Sequence, residues 1–117
     1  MTDRTVLTPM DDYLSHQIPE TLASVYTSDP NFFERYAFGM LNTDLTSFLM
    51  ATMAVYPNRG FKEAAVGFVH EGREHMVRAS AHLRGDRLNT TVGPITVQVV
   101  EGLKRIRLAV APNEWGL

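Results

Sequence analysis

The sequence contains no cysteine, which removes several classes of chemistry at once. Disulfide bonds, thiolate nucleophiles and cysteine-based metal sites all require this residue. Long apolar runs are also missing, because no window approaches the roughly 18 apolar residues that a membrane-spanning helix needs. The N-terminal stretch contains acidic groups and no apolar segment of signal-peptide length, so no export signal is visible. We therefore expect a soluble, cytoplasmic chain.

A strong excess of one charge is absent as well. The chain has 11 basic and 13 acidic residues, which gives a formal net charge of −2. Binding to nucleic acid calls for a basic stripe, and binding to a membrane surface calls for a polybasic cluster, so neither partner is predicted. The motifs G-x-S-x-G and G-x-G-x-x-G do not occur. Nucleophilic hydrolysis and nucleotide binding therefore have no support, and no cofactor is predicted.

The remaining composition is that of an ordinary globular domain, with 117 residues of which 44% are hydrophobic and 21% are charged. Residues 1–35 differ from the rest because Pro9, Pro19 and Pro30 punctuate a polar stretch without a sustained hydrophobic period. We predict an N-terminal arm with little regular structure over 1–35, including a short helical turn near residues 11–16. One β domain is predicted over 36–117.

From Tyr36 onward, apolar runs alternate with turn residues, which is the pattern of an antiparallel meander. The predicted fold class is therefore all-β. The six predicted strands cover residues 36–42, 47–56, 63–70, 74–83, 92–100 and 103–110. Six strands are too few to close an ordinary eight-stranded barrel. We expect the β domain to be truncated at its C-terminal end and to belong to a longer protein.

Two Glu-Gly turns allow the strand register to be predicted. On one face, a two-residue loop at 71 and 72 pairs Phe68 with His75, Val66 with Val77 and Ala64 with Ala79. On the other face, the same loop pairs Val69 with Glu74, Gly67 with Met76 and Ala65 with Arg78. A two-residue loop at 101 and 102 pairs Val99 with Lys104, Val97 with Ile106 and Ile95 with Leu108. The second register separates apolar from polar residues, whereas a slip of one residue mixes them.

The predicted strand 47–56 has no polar face. One face carries Phe48, Met50, Thr52, Ala54 and Tyr56, and the other carries Leu49, Ala51, Met53 and Val55. Because both faces are apolar, we predict that both sides of this strand are covered. A second sheet, a partner chain or a bound apolar molecule are the candidate covers. The sequence leaves open which face is the interior.

Four stretches resemble a known family: "HQIPE" (16–20), "TSDPNFFERYAFG" (27–39), "YPNRG" (56–60) and "TVGPITVQVVEGLKRIRLAVAPNEWGL" (91–117). In order and spacing they resemble the N-terminal half of the carotenoid 1,2-hydratase-like (hydroxyneurosporene synthase-like) superfamily, in its functionally unassigned bacterial branch. Members of that superfamily resemble two lipocalin-like β-barrel domains in tandem. Characterised relatives act on apolar isoprenoid or polyketide-like substrates by hydration, cyclisation or related proton-driven chemistry. The resemblance implies a lipocalin-like barrel or half-barrel, with "YPNRG" as a turn at its rim.

Two functions are candidates, the first implied by this resemblance and the second indicated by the apolar second face of the early strands. In the first, the domain binds an apolar, isoprenoid- or lipid-like ligand within a hydratase/isomerase-like protein whose chemistry occurs mainly in a C-terminal half. No catalytic acid of the family maps onto a matching position, so we expect this segment alone to be inactive. In the second, the domain is a non-catalytic structural module. Its second apolar face then packs against a C-terminal domain of the same protein or against a second copy.

The candidate ligand-binding residues are aromatic or methionine side chains of the predicted strands, together with one histidine. They are Tyr36, Phe38, Phe48, Met50, Tyr56, Phe68 and His75. Such a set is typical of a pliable apolar cavity and equally typical of a core. His16 and His75 are weak catalytic candidates, since hydration of an alkene requires proton transfer. The alternative for both histidines is a structural hydrogen bond.

The histidines at positions 16, 70, 75 and 82 do not form a metal signature. A zinc site needs three or four converging ligands, and the predicted strands place His75 and His82 on opposite faces. No metal site is predicted. Arg78 shares a predicted face with Met76 and Ser80, where a carboxylate of a partner domain is one candidate contact and a surface ion pair is the other.

Overall fold

The structure is a computed structural model that describes residues 6–16, 25–86 and 88–114. Within these residues the protein is all-β, which confirms the predicted fold class. Sheet A contains, in order, β1 (Glu34–Leu41), β2 (Ser47–Tyr56), β3 (Phe61–His70) and β4 (Arg73–His82). Sheet B contains β5 (Thr91–Val92), β6 (Ile95–Glu101) and β7 (Arg105–Val110). All pairs are antiparallel, and in the described chain the two sheets remain separate instead of closing into a barrel.

The four strands of sheet A lie within two residues of their predicted bounds. The prediction of a single strand over 92–100 is wrong, because the chain turns at Gly93 and Pro94 and forms β5 and β6. Gly93 has a φ of +57°, and a Cβ at this position would lie 2.7 Å from the Cβ of Ala79. Only glycine combines this backbone conformation with such a close approach to sheet A. The last predicted strand, 103–110, corresponds to β7, which begins at Arg105, two residues later than predicted.

The hairpin between β3 and β4 has the predicted register, including the pairs of Val66 with Val77 and of Gly67 with Met76. Glu71 and Gly72 both adopt positive φ angles, of 50° and 73°. Positive φ at both central residues is the geometry of the tight hairpin turn that matches the twist of the strands.

The predicted register of the second hairpin is wrong. Val99 pairs with Ile106 instead of Lys104, because residues 102–104 form the loop and a bulge lies between Val99 and Glu101. Leu103 carries the positive φ of this loop, at 65°. The register differs from the prediction by two residues, so every apolar side chain keeps the predicted face.

The core lies between the two sheets. It is built from Leu14, Ala51, Met53, Val55, Ala64, Val66, Val77, Val92, Ile95 and Val97. We call the side of sheet A that carries Ala51, Met53 and Val55 the inner face, and the opposite side the open face. Sheet B covers the part of the inner face that carries these core residues, whereas Met40 and His75, at the far end of the same face, are exposed. On the open face of β2, Phe48 and Met50 are exposed in the first half of the strand, so no described residue covers the strand there, and cover by a partner chain or a bound apolar molecule stays a prediction.

The described part of the N-terminal arm packs on this sandwich through a short 3-10 helix, Pro9–Asp12, which begins two residues before the predicted helical turn. Leu14 inserts into the core, and the hydroxyl of Tyr36 donates a hydrogen bond to the carbonyl of Asp12. A side-chain oxygen of Asp12 accepts a hydrogen bond from the amide of Leu103. Residues 1–5 and 17–24 of the predicted arm lie outside the described residues.

A turn connects β2 and β3 at the predicted residues 56–60, while its place at the rim of a barrel stays a prediction. Pro57 begins a 3-10 turn over Pro57–Arg59, and Gly60 ends it in the left-handed region with a φ of 71°. The side chain of Asn58 donates to the carbonyls of Thr27 and Asp29 at 2.9 and 2.8 Å. These bonds hold the chain that precedes β1 against this end of sheet A.

Candidate functional site

The open face of sheet A is an ordered grid of side chains, because residues that pair across antiparallel strands point to the same side. Four rows cross all four strands: Leu41, Phe48, Val69 and Glu74; Gly39, Met50, Gly67 and Met76; Ala37, Thr52, Ala65 and Arg78; and Arg35, Ala54, Glu63 and Ser80. A fifth row contains Tyr56, Phe61 and His82. The first two rows are apolar apart from Glu74, whereas the third and fourth rows carry the polar side chains Thr52, Arg78, Arg35, Glu63 and Ser80.

A cleft of about 470 Å³ lies on this face. Its lining consists of Arg35, Met50, Thr52, Glu63, Ala64, Ala65, Gly67, Met76, Arg78, Ala79 and Ser80. The cleft exists because β3 carries only Ala65 and Gly67 at the centre of the face, while longer side chains rise from the neighbouring strands. A Cβ at Gly67 would lie 3.5 Å from the terminal methyl group of Met76, so the methionine leans over the glycine.

The fourth row ends in a group of polar side chains that satisfy one another. Arg35 lies 3.5 Å from Glu63, and the Tyr56 hydroxyl donates to the same carboxylate oxygen at 2.9 Å. The guanidinium of Arg35 also donates to the Tyr56 hydroxyl at 3.2 Å and lies 5.4 Å from the centre of the Phe33 ring. The charges of Arg35 and Glu63 therefore neutralise each other at this end of the cleft.

Arg78 is the second cation of the cleft, and its environment is different. It is exposed, lines the cleft and forms no hydrogen bond or ion pair with the described residues. Its neighbours in the same row are Thr52 and Ala65, neither of which carries charge. Once the pair of Arg35 and Glu63 is set aside, the lining carries one uncompensated positive charge.

A second cluster surrounds His16, in a cavity of about 280 Å³ between the arm and β1. The Nδ1 atom of His16 lies 3.2 Å from the carbonyl of Tyr13 and 3.6 Å from a carboxylate oxygen of Glu34, and its Nε2 atom lies 3.4 Å from Asp11. The other oxygen of Glu34 accepts the amide of Ser15. Each of these contacts joins the arm to itself or to β1, so the cluster serves to attach the arm.

Tyr36 belongs to the same attachment. Burial, together with the nearby carboxylates of Asp12 and Glu34, raises the pKa of its hydroxyl to about 12. The ring of Tyr36 stacks on Phe38 with 5.9 Å between the ring centres, against the core. A hydroxyl that is neutral and donates to a backbone carbonyl holds structure and does not transfer protons at neutral pH.

Lys62 is a buried charged residue on the inner face, 5% exposed. Its ammonium group donates to the carbonyl of Asn89 at 3.0 Å, and burial lowers its pKa. The contact ties the segment between β4 and β5 to sheet A. Lys62 lies outside the cleft and is part of the scaffold.

The seven predicted ligand-binding residues do not form one site. Four of them, Tyr36, Phe38, Phe68 and His75, belong to the inner face, and three, Phe48, Met50 and Tyr56, belong to the open face. Met50 alone of the seven lines the cleft, and Tyr56 reaches its polar end through Glu63. His75 pairs with Phe68 as predicted but lies exposed, whereas His16 lies in the arm cluster. The two candidate proton-transfer residues are therefore not brought together.

Among residues 6–16, 25–86 and 88–114, no group of three or more histidine, cysteine, aspartate or glutamate side chains is placed to hold a metal ion. The described helices are also too short to cross a membrane.

Residues 7–117 match the model of a family of unknown function, DUF8625. The chain belongs to this family. No curated protein and no solved structure matches it. These comparisons do not connect this DUF8625 chain with the carotenoid 1,2-hydratase-like superfamily, and that relation stays a prediction.

Sequence reasoning did not assign Ala65, Gly67, Met76 and Arg78 to a site in this DUF8625 domain. The signal was nevertheless present, because the predicted hairpin register already pairs Gly67 with Met76 and Ala65 with Arg78. Small residues opposite long ones on a face that lacks a cover leave a depression. What the register alone does not reveal is which face sheet B covers.

Proposed function

We propose that this DUF8625 domain binds an apolar, isoprenoid- or lipid-like molecule in the cleft of the open face. The observation that carries the proposal is the cleft itself, whose volume of about 470 Å³ lies in the range of small-molecule sites. Its floor is apolar, with Met50, Ala65, Gly67 and Met76, and polar groups stand at one end. The floor is also firmly held, since the other face of the same strands is the core.

The same residues favour binding over catalysis. The described lining of the cleft contains no histidine, and its carboxylate, Glu63, is already engaged by Arg35 and Tyr56. A hydration or isomerisation needs a group that can donate and accept protons near the substrate. We therefore assign any hydratase- or isomerase-like reaction to another part of a larger protein. The relation to the carotenoid 1,2-hydratase-like superfamily belongs to the same proposal and is supported by the resemblance in sequence.

The proposal is tested with Nile red, a neutral apolar probe whose fluorescence rises when it leaves water. Met50→Gln removes an apolar wall of the cleft, and Met40→Gln is the matched control. Both methionines are 52% exposed, but Met40 lies on the inner-face side and does not line the cleft. We expect Met50→Gln alone to weaken binding. Equal affinity in both variants and the wild type would place the probe elsewhere and reject the cleft as the site.

Native mass spectrometry of the purified chain, without detergent, adds an independent readout. A monomer with a discrete extra mass that organic solvent removes supports a bound small molecule, and that mass narrows its chemical class. The wild type and Gly67→Phe are compared, since a phenyl group at the centre of the floor fills the cleft. Retention of the same mass by Gly67→Phe would contradict binding at this position.

A second function is favoured by a different observation. Five apolar side chains in the first two rows of the open face are exposed: Leu41 (58%), Met50 (52%), Met76 (49%), Phe48 (37%) and Val69 (36%). Contiguous exposed apolar patches mark interaction surfaces. The alternative is a structural module whose open face packs against a second copy or another domain. The part of the inner face that carries Met53 cannot serve this purpose, because sheet B covers it.

The packing function predicts self-association that depends on this patch. Phe48→Lys places a charge within it, while Leu88→Lys places the same charge on an exposed leucine outside sheet A. We expect sedimentation analysis to show a dimer for the wild type and Leu88→Lys and a monomer for Phe48→Lys. A wild type that stays monomeric at every concentration would reject packing against a second copy.

A further inference from the structure

We propose that the cleft selects a long-chain carboxylic acid, whose carboxylate is held by Arg78 and whose tail lies over Met50 and Met76. This inference rests on the proposed binding function and adds to it the chemical class of the ligand. It follows from two independent features of the open face, which are its gradient of polarity and its charge.

The gradient runs along the strands. The third row contains Thr52 and Arg78, whereas the second contains Met50 and Met76 and the first contains Phe48. The one polar side chain in those two rows is Glu74, at the β4 end of the first row. Successive rows on one face are two residues apart, or about 6.6 Å. From Arg78 to the first row, the open face therefore offers about 13 Å of mainly apolar surface. A molecule with one polar end and one apolar end matches this layout better than a uniformly apolar one.

The charge selects the sign of the polar end. Of the three charged residues that line the cleft, Arg35 and Glu63 form an ion pair 3.5 Å apart, and Arg78 is left without a described partner. Glu74 is the acidic residue on the same strand and open face, and it stands two rows away, beyond Met76. The cleft thus carries a net charge of about +1, which complements one negative charge and opposes a cationic head.

The geometry of the guanidinium distinguishes between anions. Arginine presents paired N–H donors that match the two oxygens of a carboxylate. A phosphate monoester carries about −1.5 to −2 charges near neutral pH and calls for more than one free cation. One unpaired arginine, with the hydroxyls of Thr52 and Ser80 on the same lining, therefore fits a carboxylate best.

The test compares cis-parinaric acid, a fluorescent long-chain acid, with its methyl ester, which has the same tail and no charge. We expect the wild type to bind the acid about tenfold more tightly, as one charge-assisted hydrogen bond at a partly exposed site provides. Arg78→Gln removes the charge, so the affinity for the acid falls to that for the ester. Arg107→Gln on sheet B is the matched control, because it is also an exposed arginine on a strand and is remote from the cleft.

The outcomes separate this inference from the function on which it rests. Equal binding of acid and ester by the wild type, or a preference that survives Arg78→Gln, overturns the role of Arg78 while the apolar cleft stands. Binding of neither probe by the wild type rejects the binding function itself. Since Arg78 is exposed, we expect its variant to keep the wild-type circular dichroism spectrum. Unchanged binding of the ester provides a second control for an intact cleft.

Discussion

Gly67 and Met76 face each other across the ladder of β3 and β4 on the open face of sheet A. A Cβ at Gly67 would meet the terminal methyl group of Met76 at 3.5 Å, an ordinary contact distance. Gly67 does not have a positive φ, so the backbone does not demand glycine here. The glycine matters for the space above it, since any side chain at this position would occupy the centre of the cleft.

Filling this space tests the cleft directly. We expect Gly67→Phe to reduce the affinity for Nile red more than tenfold, because the ring displaces the probe from the floor. The free energy of unfolding is expected to stay equal or to rise by about 0.5–1 kcal/mol, as an aromatic residue is a better strand former than glycine. Probe titration and urea unfolding measure the two effects separately.

Gly39→Phe is the control for this change. Gly39 occupies the same row on β1, next to Met50, and its Cβ position has no atom within 4 Å. It does not line the cleft. A loss of probe binding in both variants, or in neither, would show that the cleft is not where the probe binds.

The two faces of β2 differ in their contribution to stability. Met53 has no exposed surface, whereas Met50 is 52% exposed, although the two residues are three positions apart on one strand. We expect Met53→Ala to cost about 2–5 kcal/mol of unfolding free energy, through lost burial and a residual cavity. Met50→Ala is expected to cost less than about 1 kcal/mol. Urea unfolding of both variants checks this, and equal costs would contradict the assignment of the inner face as the core.

A strand register can be predicted from the sequence when residues of the hairpin itself determine it, and cannot be predicted when a contact with a distant part of the chain determines it. The register of β3 and β4 follows from the sequence because a two-residue loop at Glu71 and Gly72 separates two apolar runs, and Gly72 takes its positive φ of 73° without steric cost. The register of β6 and β7 does not follow, because the loop is shaped by a distant contact. A Cβ at Gly102 would lie 2.7 Å from the Cα of Pro9, so this glycine serves the packing of the arm.

The choice of the inner face is likewise not a local property. Both faces of β2 are apolar, and the decision depends on how sheet B folds back on sheet A. The aromatic and methionine residues predicted as one site were selected by type, and strand alternation then divides them, with Phe38 on the inner face and Met50 on the open face. The all-β class was predictable because period and turn chemistry are visible along the chain.

The free energy of unfolding at alkaline pH is expected to depend on Tyr36. Its pKa is raised from 10.0 to about 12 in the folded protein, so the unfolded chain loses this proton first as the pH rises. The unfolded state then binds fewer protons, and stability falls between pH 10.0 and about 12. Tyr36→Phe is expected to be less stable at neutral pH, since it leaves the carbonyl of Asp12 without this donor.

The difference in free energy of unfolding between the wild type and Tyr36→Phe should therefore narrow as the pH rises from 10.0 to about 12. Urea unfolding at neutral and at alkaline pH measures the difference. The tyrosinate absorbance of the folded protein provides an independent check, because the variant should lose a tyrosine that titrates late. A constant difference between the two proteins at all pH values would contradict the raised pKa.

The attachment of the N-terminal arm is expected to depend on Gly102. A side chain here would lie 2.7 Å from both the Cα and the Cβ of Pro9, so Gly102→Ala must displace the helix Pro9–Asp12 from the loop between β6 and β7. We expect faster hydrogen exchange at the amides of Asp11 and Tyr13, which bond to the carbonyls of Thr8 and Met10. Affinity for Nile red should not change, because the described arm does not line the cleft. Gly39→Ala, at an unobstructed glycine, should leave both quantities unchanged, and wild-type exchange in Gly102→Ala would show that the arm is held by other contacts.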